Sequence, residues 1–161
     1  RMNNLSIDIS ALIDAAQERL LASTPCLIDY SDKKTLKNNQ LPSSLGGDSI
    51  NIYALWQRNT SNEKWELMYV GQRSFKSGWG RVRQHLFSTP SGTQSKLQEV
   101  RAAIESGAQV GVTAILVQPD SIRLTVEEEL INRNSLSETH LLWNKKARAK
   151  VSKPRSGGRA V

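Results

Sequence analysis

The chain has 161 residues, 22 Lys and Arg against 15 Asp and Glu, and a single cysteine, Cys26. That length suits one domain with its own core, and one thiol excludes an internal disulfide and a thiolate-rich zinc site. The cysteine usage leads us to expect a reducing compartment, the cytoplasm; with no apolar run of membrane-spanning length and no signal peptide visible, no membrane partner is expected.

Leu12, Ile13, Ala16, Leu20 and Leu21 recur at helical spacing and predict an amphipathic helix over 10–23, stopped by Pro25. Residues 31–49 are polar and rich in Lys, Asn, Ser and Gly, which reads as a connector or mobile loop. A strand follows over 50–56, with Ile52, Ala54 and Trp56 on one face and Asn51, Tyr53 and Leu55 on the other. Residues 58–64 form a hairpin loop. The returning strand spans 65–70, with Trp65, Leu67 and Tyr69 on one face, and Gly71 ends it. A short helix over 79–87 carries the stripe Trp79, Val82 and Leu86, and a second over 94–105 is closed by Gly107. The apolar run 110–117 reads as a buried strand. Pro119-Asp120-Ser121 offers an N-cap for a helix over 122–134. A polar segment then leads to Leu141-Leu142-Trp143-Asn144.

These elements predict an α+β fold: a small, central, mainly antiparallel three-stranded sheet flanked by helices, with an extra N-terminal helix. The expected organisation is an N-terminal helix and connector over 1–49, a core over 50–144 and a basic tail over 145–161. The tail holds seven basic residues (Lys145, Lys146, Arg148, Lys150, Lys153, Arg155, Arg159) and no acidic ones. The rest of the chain balances 15 basic against 15 acidic residues. Such a tail is either a solvated arm or a phosphate-binding one. Arg73, Lys76, Arg81 and Arg83 form a second basic cluster inside the folded region, and a cluster there points more strongly to a polyanion.

Arg81 and His85 stand four apart on one helix, so their side chains are neighbours, directed away from the apolar stripe. They are either a solvated basic face or part of a site beside the two strand tyrosines, Tyr53 and Tyr69. Glu127 falls near the middle of the arc formed by Ile122, Leu124, Val126, Leu130 and Ile131, whereas Glu128 and Glu129 fall outside it. An inward carboxylate needs a partner. That partner is either Arg123, one turn earlier, or a hard divalent cation. Asn144 either ends a segment or belongs to the site.

In this order the residues resemble the GIY-YIG nuclease family. Asn51-Ile52-Tyr53 and Tyr69-Val70-Gly71 match its two signature tripeptides. "RVRQH", Arg81 to His85, matches its Arg-x-x-x-His helix, and "EEELI", Glu127 to Ile131, its Glu-x-x-Leu-Ile helix. Asn144 in "LLWN" matches its closing asparagine. The resemblance covers roughly residues 50–144. Asn51 replaces a glycine, Val70 an isoleucine, the gap from Glu127 to Asn144 is longer than usual, and the usual proline is missing.

The resemblance implies a metal-dependent endonuclease that hydrolyses phosphodiester bonds in double-stranded DNA. Glu127 would hold one Mg2+ or Mn2+, and Arg81 would contact the scissile phosphate. Tyr53 would act as general base or water orienter with His85 as its proton relay, Tyr69 would orient the water or phosphate, and Asn144 would brace the site. The His version of the helix, the compact size and the N-terminal helix look most like site-specific restriction enzymes of type II, which often act as homodimers on DNA. A nuclease toxin, a phage nuclease or a repair-type nicking enzyme shares the same core, and a non-catalytic DNA-binding module is the alternative outside enzymes. Residues 31–49, the loop 73–78 and the basic tail are the candidate DNA-contacting elements.

Overall fold

The computed structural model describes residues 5–90 and 94–149. In chain order they form α1 (Ser10–Leu21), β1 (Cys26–Leu27), β2 (Ile52–Arg58), β3 (Glu66–Gln72), α2 (Gly78–Leu86), α3 (Leu97–Glu105), β4 (Gln109–Ile115) and α4 (Arg123–Asn134), with 3-10 turns at Leu36–Asn38 and Asp120–Ile122. The architecture is α+β, but the sheet has four strands, not three. Its order is β1-β4-β2-β3 and every neighbouring pair is antiparallel. The extra strand is the two-residue β1, which pairs Cys26 with Val112 and Leu27 with Gly111. Two residues beside a proline are too short to show a period of two in the sequence.

Alternation along β2 sends its side chains into two cores. Tyr53 and Leu55 join Val82, Leu86, Val100 and Ile104, beneath α2 and α3. Ile52, Ala54 and Trp56 join Ile13, Ala16 and Leu20 of α1 and Val126, Leu130 and Ile131 of α4. Burying one such Leu or Ile side chain stabilises the fold by about 1.5–3 kcal/mol. The N-terminal helix is therefore part of the core.

β3 departs from the predicted alternation. Leu55 pairs with Tyr69 but Trp56 pairs with Leu67, leaving Met68 as an extra residue in the strand. This bulge resets the faces. Trp65 and Leu67 pack with the α1/α4 core, whereas Tyr69 crosses to the α2/α3 side with Tyr53. β3 is also an edge strand, and the segment around Asn144 covers it. The Trp143 N–H donates to the Met68 carbonyl at 2.6 Å, the Val70 N–H donates to Asn144 Oδ1 at 3.0 Å, and Asn144 Nδ2 donates to the Val70 carbonyl at 2.7 Å. The asparagine amide acts as a surrogate peptide group on an otherwise open edge.

Three further expectations narrow or change. Of the two readings of residues 31–49, the contacts favour the connector over 32–39: Leu36 is buried, and Asn39 accepts from the Asp32 N–H at 2.9 Å and donates back to the Asp32 carbonyl at 2.8 Å. Asp120 does not cap α4. It accepts from the Phe75 N–H at 2.9 Å and Asn51 Nδ2 at 3.0 Å, and its other oxygen pairs with Arg123 at 2.6 Å. Leu124, predicted on the apolar arc, is half exposed. Lys150, Lys153, Arg155 and Arg159 lie outside the described residues. Among the described residues no helix is long and apolar enough to cross a membrane.

Candidate active site

Tyr53 and Tyr69 stand on neighbouring strands with ring centroids 6.3 Å apart. His85 of α2 closes the group, 5.5 Å from the Tyr53 ring and 5.0 Å from that of Tyr69. Gly71 is what lets Tyr53 lie there. It pairs with Tyr53 across the ladder, and a Cβ at residue 71 would meet the phenol at 2.5 Å.

His85, expected to point away from the apolar stripe, is fully buried. Both of its nitrogens are engaged. The Lys96 backbone N–H donates to Nδ1 at 2.9 Å, and Nε2 lies 2.8 Å from the Tyr53 hydroxyl. An Nδ1 that accepts carries no proton, so the neutral ring carries its proton on Nε2 and donates it to the Tyr53 oxygen. The expected relay, in which His85 takes the tyrosine proton, runs against this hydrogen bond. Burial pushes the His85 pKa down from 6.5 to about 3, with Arg81, Lys96 and Arg73 adding to the effect, so the ring is neutral at pH 7.

The phenols are held protonated. Burial raises Tyr53 well above the usual tyrosine value, Tyr69 and Glu127 add to that, and Arg81 opposes it. Tyr69 is raised by burial and by Glu127, again against Arg81. Arg81 favours the phenolate of both, but burial outweighs it. Arg81 itself is half-buried, with Nη1 donating to Gln84 Oε1 at 2.6 Å and Nη2 to the Gln94 carbonyl.

Glu127 enters from α4, on the other side of the sheet, and reaches the same edge. Its residue is 7% exposed, while Glu128 and Glu129 face water. The expected Arg123 partner is taken by Asp120. Instead, Lys146 Nζ donates to Glu127 Oε1 at 3.1 Å. Burial raises the Glu127 pKa, Glu128 adds to the rise, and Lys146 works against it. Tyr69, Glu127, Asn144, Lys96, Lys145 and Lys146 share the wall of one cavity of about 680 Å³. Tyr53 stands behind Tyr69 at 1% exposure.

All six predicted residues therefore gather around Tyr69 and Val70 in the middle of β3. Tyr69, Glu127 and Asn144 face the cavity, and Tyr53, His85 and Arg81 support it from behind. Among the described residues no group of three or more His, Cys, Asp and Glu side chains forms a ready-made metal cluster. Glu127 is a single carboxylate, and an ammonium stands in for a cation beside it. That donor fits a hard divalent ion that keeps most of its own water. Lys96 and Lys146 belong to the site and were not singled out in the sequence. Lys96 precedes α3 without any motif, and Lys146 belongs to a basic run that reads in sequence as a tail.

No protein-family model, curated protein or solved structure matches the chain.

Proposed function

We propose that the chain is a metal-dependent endonuclease of the GIY-YIG type that hydrolyses phosphodiester bonds in double-stranded DNA, most like a site-specific type II restriction enzyme acting as a homodimer. The observation that carries this reading is the shared cavity, where Glu127 from one face of the sheet and Tyr69 from the other meet beside Asn144, with Arg81 and His85 behind. Three lysines, Lys96, Lys145 and Lys146, line the same wall and suit a phosphate backbone.

Glu127 would hold Mg2+ or Mn2+, which would supply polarisation of the phosphate and charge stabilisation for the leaving 3′ oxygen. Arg81, with Nη1 and Nη2 held by Gln84 and Gln94 behind the cavity wall, contributes a fixed positive charge toward the phosphate. Tyr69 orients the attacking water at the cavity wall. Tyr53 is a water orienter in this reading, acting through Tyr69: it stays a phenol behind the cavity wall, and its oxygen accepts from His85. Burial is the main cause that holds both phenols protonated, and the Glu127 charge adds to it. Asn144 keeps β3 in register with the site.

The test is incubation of the purified chain and Glu127→Gln with supercoiled plasmid, in Mg2+ and in EDTA. The expected outcome is Mg2+-dependent cutting by the native chain and at least a thousandfold loss in the variant, on the order of one lost essential site group. Salt-sensitive binding without cutting would leave the non-catalytic DNA-binding module. Mapping the cut ends separates site-specific cleavage from general nicking.

A further inference from the structure

Glu127 already has a counter-ion within the chain, and its two partners are unequal. The Glu127 side chain is 10% exposed and that of Lys146 61%. The acid sits on α4 between the buried Val126 and Leu130. The ammonium ends a flexible four-carbon stem on the segment after Asn144, where the nearest backbone tie is the Ala147 N–H to the Asn144 carbonyl at 3.2 Å. One side of the pair is fixed and the other is free to leave. An inward carboxylate with no counter-ion is unfavourable, so the chain gains from an internal cation whenever no external one is bound. A half-solvated lysine holds a carboxylate weakly. A divalent cation with oxygen preference would draw on the same carboxylate charge, one oxygen of which, Oε1, Lys146 already holds.

We propose that Lys146 is a positioning residue of the cation site: it competes with the divalent ion for Glu127 and thereby sets that ion's affinity. Ion binding turns the ammonium out into the cavity shared with Tyr69 and Asn144. The inference rests on the reading of Glu127 as the cation ligand.

Titration calorimetry with Mn2+ near pH 8, without DNA, tests it on the native chain, Lys146→Met, Lys146→Gln, Lys146→Arg and Glu127→Gln. Lys146→Met and Lys146→Gln are expected to bind Mn2+ about three- to fivefold more tightly than the native chain, the equivalent of losing one half-exposed ion pair. Lys146→Arg, which keeps the cation, should stay close to the native affinity, and Glu127→Gln should lose the binding. Unchanged or weaker Mn2+ affinity in both neutral variants overturns the competition while leaving Glu127 as the ligand. Native-like Mn2+ binding by Glu127→Gln overturns the cation site itself, and the inference with it.

Discussion

His85 has no exposed surface and two polar neighbours, the Tyr53 hydroxyl and the Lys96 backbone N–H. Both contacts are satisfied by the neutral ring with its proton on Nε2, and a second proton on Nδ1 would meet an N–H donor head-on. Protonation is therefore resisted by geometry as well as by burial. The folded pKa lies near 3 and the ordinary value is 6.5, so the unfolded chain binds the proton first as the pH falls. The contribution of His85 to stability is complete above pH 6.5 and declines toward pH 3. Urea unfolding of the native chain and His85→Gln should show the native chain's advantage shrinking by about 2 kcal/mol between pH 7.5 and pH 5. The carboxylates titrate in both proteins, so they cancel in the difference. A constant gap would mean that folding leaves the pKa of the ring unshifted. Asn51 shows the same economy of contacts: its amide donates to the Val117 carbonyl at 2.8 Å and to Asp120 Oδ1 at 3.0 Å, and accepts from the Val117 N–H at 2.8 Å. A glycine, which the family resemblance leads one to expect there, offers none of these.

At the scale of elements, β3 decides the site. Its bulge sends Tyr69 to the side of Tyr53, and its free edge is where α4 and the Asn144 segment meet it. Asn144 is thus a brace for the edge by geometry, whatever the chemistry of the cavity. Asn144→Ala should cost about 1–3 kcal/mol in chemical denaturation, because it removes two hydrogen bonds to the Val70 backbone and leaves those groups half covered. A loss below about 0.5 kcal/mol would mean that water replaces the amide freely. The brace was legible only as a motif match. Nothing in "LLWN" predicts that the amide would act as a strand's peptide group. The two signature strands were legible as strands, but the face of Tyr69 was not, since one extra residue inverts every assignment beyond it.

At the scale of the whole molecule, a net charge of +7 is spread unevenly, and four cations, Lys96, Arg101, Lys145 and Lys146, border the cavity. If duplex DNA binds there through about four phosphate contacts, a fourfold rise in salt should weaken binding about a hundredfold. Fluorescence anisotropy of a labelled duplex with Glu127→Gln, which is not expected to cut, reads this directly. An affinity flat with salt would remove DNA as the partner. The sequence by itself determined the helices, the hairpin and the inward aim of Glu127, because each follows from periodicity within a dozen neighbouring residues. Only the tertiary structure decided that Tyr69 shares a face with Tyr53, that His85 donates to the phenol, that Lys146 neutralises Glu127 and that Asn144 seals β3. Those facts depend on groups far apart in the chain, Val70 and Asn144 being 74 positions from one another. A local pattern carries no record of which distant backbone group a side chain will meet once the sheet edge has formed.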